Sequence, residues 1–163
     1  MGQVVSQGEL ILHRGEWKRN GRGLVCASGA FDLLHPGHIR LLEQARSLGE
    51  VLAVAVQGDA SVREQLGNTA RVARPVTPAA ERMEIVAALA AVDFVVPFDE
   101  PSPHQFLVNL APDVFVEGGS GGRRELGLQQ RELEALGCRT VRVPLEPGYS
   151  TAQLIERITH LHT

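Results

Sequence analysis

Short apolar runs recur along the chain, separated by longer stretches in which apolar side chains return every three or four positions. Residues 24–28 (LVCAS), 51–57 (VLAVAVQ), 94–97 (FVVP), 114–116 (VFV) and 140–143 (TVRV) read as strands. Between them, residues 36–48 set Ile39, Leu41, Leu42 and Ala45 on one side of a helix. Residues 78–90 do the same with Met83, Val86, Ala87 and Ala90, and 103–110 and 125–136 follow the same period. Thr77-Pro78 and Ser102-Pro103 each put a capping residue before a proline suited to the first helical position. Strand-helix alternation of this kind predicts an α/β fold: one Rossmann-like domain over residues 1–163, a five-stranded parallel sheet with helices on both faces. The core is expected over 23–160, with 1–22 as an N-terminal extension. Residues 58–77 and 117–124 (EGGSGGRR) are expected as loops.

In such a sheet, ligands bind beyond the carboxyl ends of the strands, where the strand order reverses. The polar features collect at those ends: His35 and His38 after the first strand, the 58–74 stretch after the second, EGGSGG after the fourth, and Gly148 to Thr151 after the fifth.

Composition narrows the function classes. A net charge of −3 and a pI near 6.1 supply no field for a nucleic-acid backbone or an anionic membrane. Cys26 and Cys138 have neither metal-ligand spacing nor the makings of a disulfide framework, which suits a soluble, cytoplasmic protein. The first 17 residues lack the apolar core of a signal peptide. Lys18 is the only lysine, so phosphate contacts in the core fall to arginine, histidine or backbone amides. Nothing in the sequence decides against a homodimer.

The stretch SGAFDLLHPGHIRLLEQA (28–45) carries the chemistry. Pro36 fits the first helical position, which makes His35 the cap and places His38 in the first turn. Both rings then sit at a helix N-terminus, where unpaired amides and the helix dipole favour an anion, and Gly37 lets a phosphate approach the backbone. The plainer alternative is a capping histidine, a packing histidine and a turn glycine. Zinc is a third reading, disfavoured because His13, His104, His160 and His162 are scattered.

GAFDLLHPGHIRLLEQARSLG resembles the signature of the small nucleotidylyltransferases, whose His-x-Gly-His motif contacts a triphosphate. The resemblance continues through VAVQGDASVRE, RPVTPAAERMEIVAALAAVDFVVPFDE, PDVFVEGG and PLEPGYSTAQLIERI, from Val25 to Ile158. The middle and end look most like the adenylyltransferases that form ADP-heptose from a heptose 1-phosphate. The histidine segment is equally similar to the glycerol-3-phosphate cytidylyltransferases.

The resemblance implies transfer of AMP from ATP to a sugar 1-phosphate with release of pyrophosphate. The alternatives are a cytidylyltransferase acting on a polyol or amino-alcohol phosphate, and a nucleotide-binding module without turnover. It also implies roles. His35, His38, Ser150 and Thr151 act on the phosphates; Gly29, Ala30, Phe31, Gly37, Gly118 and Gly148 complete the nucleotide site. Asp32 stands beside a magnesium ion, and Asp59, Arg71, Arg74, Arg82, Glu117 and Ser120 face the substrate. Read without the family, Asp32 is a turn carboxylate, Ser150 an N-cap and Arg82 a solvated helix residue.

Three departures bear on the acceptor. Leu66 stands where the adenylyltransferases carry a lysine before the glycine aligned with Gly67, and the residues NTARVA are extra. A family Lys-Gly-Gly-Asp becomes Glu117-Gly118-Gly119-Ser120, so this loop is expected to touch an altered acceptor. Leu145 replaces the clamp arginine of the cytidylyltransferases, which favours the adenylyl reading.

Overall fold

The computed structural model describes residues 1–66, 72–118, 126–144 and 146–161. In chain order the described elements are β1 (Gln3–Val4), α1 (Gln7–Arg19), β2 (Leu24–Gly29), α2 (Pro36–Arg46), β3 (Val51–Gln57), α3 (Asp59–Leu66) and α4 (Ala79–Ala87). They continue with β4 (Phe94–Phe98), α5 (His104–Leu110), β5 (Val114–Gly118), α6 (Leu126–Ala135), β6 (Arg139–Val143) and α7 (Thr151–His160). The strands form one parallel sheet in the order β1-β4-β3-β2-β5-β6.

The sheet has six strands among the described residues, not five. The extra one, β1, is a two-residue edge strand pairing Gln3 with Phe94 and Val4 with Val95, too short to show a period of two. It leads into α1, which Ser6 starts with a capping box: Ser6 Oγ accepts from the Glu9 amide, and the Glu9 carboxylate accepts from the Ser6 amide at 2.7 Å. Residues 1–22, expected as an extension outside the core, therefore bury Leu10 and Trp17 within it. Arg14 secures the helix through Asp113 at 3.0 Å and the Ala111 carbonyl. A second difference is α3, which lies in the stretch expected to be loop. Its sequence, DASVREQL, is too polar to show a buried stripe.

Side-chain alternation divides the core. Leu24 and Cys26 of β2 join Ala53 and Ala55 of β3 under α1, α5 and α6. Val25 and Ala27 join Leu52, Val54 and Val56 under α2 and α4. Strand β3 is buried along its whole length, as a central parallel strand covered on both faces must be. Both cysteines are buried free thiols in the first of these layers. No described helix is long and apolar enough to cross a membrane.

Candidate active site

The strand order reverses between β2 and β5, whose carboxyl ends carry Ser28, Gly29 and Gly118. Two clefts meet over these residues. One, of about 270 Å³, is lined by His35, His38, Asp32, Arg74, Tyr149 and Ser150 among others. The other, of about 190 Å³, lies on the α5–α6 side. Gly118 leaves room for Leu41, since a Cβ there would come within 2.5 Å of the Leu41 side chain.

Helix α2 begins as the sequence predicts, with His35 as the extended N-cap residue and Pro36 at the first position. The two histidine rings lie 3.9 Å apart between centroids. Gly37 makes room for the His35 ring, which a Cβ there would meet at 2.9 Å, and it lines the cleft beside both histidines. The Nδ1 atom of His38 accepts a hydrogen bond from the His35 amide at 3.3 Å. A backbone N–H can only donate, so the neutral His38 ring carries its proton on Nε2 and is a hydrogen-bond donor there.

Burial, reinforced by the neighbouring His35 and opposed by Asp32, pushes the His38 pKa down to about 4; burial also lowers that of His35. The pair is therefore neutral near pH 7. Above pH 6.5 His38 is neutral in folded and unfolded chains alike, and its contribution to stability is full. Between 6.5 and about 4 the unfolded chain takes up a proton that the folded one refuses, so stability falls with pH. Urea denaturation at pH 7 and pH 5 is expected to show a loss of about 1 kcal/mol for the wild type and a smaller one for His38→Gln. Equal losses would remove His38 as the cause.

Asp32 was expected beside magnesium, and its surroundings do not fit that role. Its side chain is 0% exposed. One carboxylate oxygen accepts from Arg74 Nε at 2.7 Å and the Val76 amide at 2.8 Å, and the other from the Thr77 amide at 3.0 Å. Burial alone would raise its pKa; the bonds from Val76, Thr77 and Arg74 outweigh burial and hold it below the ordinary carboxylate value. Asp32 is thus a structural anion fastening the 74–77 segment to the site. Phe31 and Leu33, on either side of it, have φ of 51° and 47°, strained values for side chains of their size. Among the described residues no three His, Cys, Asp or Glu side chains form a metal cluster.

Arg82, expected at the substrate phosphates, is 1% exposed and donates to the protein instead. Its Nε reaches the Thr77 carbonyl at 2.8 Å, one Nη the carbonyls of Ala30 and Gln57, and the other Nη Asp59 at 2.7 Å. Asp59, also expected to face substrate, accepts from Arg82 and from the Ala79 amide at the start of α4. Both residues tie together the strand ends that carry the cleft, and neither lines it.

Arg74 does line the histidine cleft. Asp32 holds its Nε, and its Nη atoms make no hydrogen bond among the described residues, which leaves them for a ligand. On the opposite wall, Gly148 at φ 82° turns the chain into α7. There Ser150 is the N-cap, accepting from the Gln153 amide at 3.1 Å, as the plainer reading of that residue has it. Its hydroxyl proton is not used in that bond. Thr151 Oγ1 donates to the Asp32 carbonyl at 2.8 Å and so docks α7 on the Asp32 turn. The N-termini of α2 and α7 therefore open on one cleft, with Gly29, Ala30, Phe31 and Gly37 forming its floor. The arrangement suits a multiply charged anion.

Glu117 lines the second cleft and is paired with Arg142 at 3.1 Å, its cross-strand neighbour on β6, which offsets the reversed charge. Leu66 ends α3. Arg71, Ser120, Leu145 and Gly67 lie outside the described residues. The sequence reading missed Tyr149, which lies near-parallel to the His35 ring with centroids 6.3 Å apart. It also missed Arg40, which lies over the Tyr149 ring and pairs with Glu146. A legible signal existed for Arg40, one turn into the histidine helix.

The family model described as cytidylyltransferase-like matches residues 26–123. The bifunctional protein HldE of Koribacter versatilis (strain Ellin345) is 43% identical over 155 residues, which cover 95% of this chain and 31% of that one. HldE of Cronobacter sakazakii (strain ATCC BAA-894) is 40% identical over 141 residues, 86% of this chain and 29% of that one. The chain thus spans about a third of the length of these relatives. Among solved structures, the lipopolysaccharide core biosynthesis protein from Thermoplasma volcanium GSS1 is similar with a TM-score of 0.63 and 27% identity, over 77% of this chain and 98% of that one. Pantothenate synthetase from Thermus thermophilus, at 17% identity and a TM-score of 0.59 over 88% of this chain and 62% of that one, shares the fold. With a histidine pair and two helix N-termini at the switch point of a parallel sheet, and with these matches, the chain belongs to the cytidylyltransferase-like family of nucleotidyltransferases.

Proposed function

We propose that the chain transfers AMP from ATP to a sugar 1-phosphate of the heptose 1-phosphate type. The acceptor's phosphate oxygen forms a bond to the α-phosphorus, the bond from that phosphorus to the bridging oxygen breaks, and pyrophosphate leaves with the electron pair. No covalent protein intermediate is required, so the protein's part is alignment and charge stabilisation. The observation that carries the reading is the fixed tautomer of His38, a neutral donor at Nε2 in a cleft onto which two helix N-termini open. As charge shifts to the leaving group, that donor and the Arg74 guanidinium strengthen their hydrogen bonds to it, with no proton needing to move first. His35 and Ser150 flank the same phosphates.

Magnesium enters this reading with the triphosphate as part of the substrate, because Asp32 is committed to the 74–77 segment. The sugar acceptor is supported by the likeness to a lipopolysaccharide core biosynthesis protein and to HldE. ATP and a sugar phosphate are cytoplasmic metabolites, and the cytoplasm is where we place the reaction. The test is pyrophosphate release with ATP and CTP, each against aldose 1-phosphates and glycerol 3-phosphate, with and without magnesium. ATP with an aldose 1-phosphate and magnesium is expected to be fastest. Preference for CTP with glycerol 3-phosphate would replace this reading, and release from no pair would reduce the chain to a binding module.

A further inference from the structure

Resting on that reading, we infer that the α5–α6 cleft recognises the hydroxyl groups of the acceptor, through two polar atoms that the folded chain leaves unpartnered, His104 Nδ1 and Thr140 Oγ1. Both atoms are buried from solvent without a hydrogen-bond partner, and both residues line this one cleft. Unpartnered buried polar atoms cost stability, and two of them at one cavity are explained by a ligand that completes them.

The chemistry of the lining names the ligand. His104 Nε2 is 2.6 Å from a Glu132 carboxylate oxygen. A carboxylate only accepts, so in the neutral ring Nε2 carries the proton and Nδ1 accepts from a hydroxyl. Thr140 Oγ1 both donates and accepts, as does a sugar hydroxyl. The carboxamide of Gln57, whose Nε2 donates to Ser61 Oγ at 2.7 Å, adds its carbonyl oxygen as a further acceptor. No arginine or lysine belongs to the described lining, and the one lining carboxylate, Glu117, is already paired with Arg142. A phosphate finds no cation here, whereas Arg74 and the α2 and α7 N-termini wait in the adjoining cleft. An acceptor lying across Ser28, Gly29 and Gly118 therefore puts its phosphate on the histidine side and its neutral polyhydroxyl body on the α5–α6 side. This makes His104 and Thr140 specificity-determining residues, with Glu132 a positioning residue for the His104 ring.

Thr140→Val separates recognition from structure. Valine fills the same space without the hydroxyl, so the free protein should melt at the wild-type temperature or above it. Calorimetric binding of D-glucose 1-phosphate, a heptose 1-phosphate and glycerol 3-phosphate would be measured on the full chain with a non-hydrolysable ATP analogue present. For the tightest of the three, Thr140→Val and His104→Phe are each expected to weaken binding by about tenfold or more, with affinity for the ATP analogue unchanged. Wild-type affinity in both variants would mean that ordered water completes these atoms, and would overturn the inference. So would a wild type that binds none of the three. If the ATP analogue fails to bind the wild type while the variants still lose the sugar phosphate, the transferase reading falls and the hydroxyl site stands.

Discussion

His38→Ala is expected to lower turnover by ~10² or more while the protein stays folded. The His38 Nε2–H is a donor fixed in place by the hydrogen bond at its other ring nitrogen, so it needs no rearrangement to meet the charge that builds on the phosphates. Alanine removes this donor and leaves the developing charge to Arg74 and the helix N-termini. The loss should fall on kcat more than on the KM for ATP, because Arg74 and the two helix N-termini still bind the triphosphate in the ground state. His38→Gln should recover part of the rate, since its amide nitrogen donates from a similar distance along the side chain. Steady-state pyrophosphate release across the three proteins, with circular dichroism to establish folding, decides the matter. An alanine variant with undiminished turnover would remove His38 from the catalytic machinery.

Arg82→Ala should cost about 3–5 kcal/mol, the range for breaking a buried charged network from one side. The substitution strands the carbonyls of Ala30, Gln57 and Thr77 and leaves Asp59 without its cation. Against a total stability of about 5–15 kcal/mol, such a variant is folded only marginally. Arg82→Lys should recover little, because a single ammonium cannot span Ala30 just past β2, Gln57 on β3, the 77 turn and Asp59 on α3 as the planar fork does. Urea denaturation of both variants measures this directly. If the lysine protein is as stable as the wild type, charge alone and not the fork holds these segments together. Arg82 bonds to Ala30 next to the strained Phe31 turn, so any folded Arg82→Lys protein should also turn over more slowly.

Four of the five expected strands appear in place because each is a mainly apolar run whose burial follows from its own composition; β6, an edge strand with only Val143 buried, was legible from its β-branched residues instead. The histidine helix was equally legible: proline at its first position, glycine in its first turn and an apolar stripe of period 3.6 are local facts. Strand β1 and helix α3 were not legible, one being too short and the other too polar to show a period. Helix α1 had a signal in its capping box, Ser6 to Glu9, which marks a helix start irrespective of the stripe behind it.

The site divides along the same line. The sequence by itself determined that His35 and His38 stand at a helix N-terminus beyond a parallel strand, and that Ser150 caps another, since caps depend on neighbours within four residues. Only the tertiary structure decided what the charged residues do. Asp32 meets Arg74, Val76 and Thr77 from more than 40 residues away, and Arg82 meets Ala30 from 52 away, so a residue that resembles a metal ligand or a phosphate contact became a buried tie. A charge in a folded protein goes where its desolvation is best compensated. Its partners are fixed by how the strands are ordered in space, which no local pattern of the chain records.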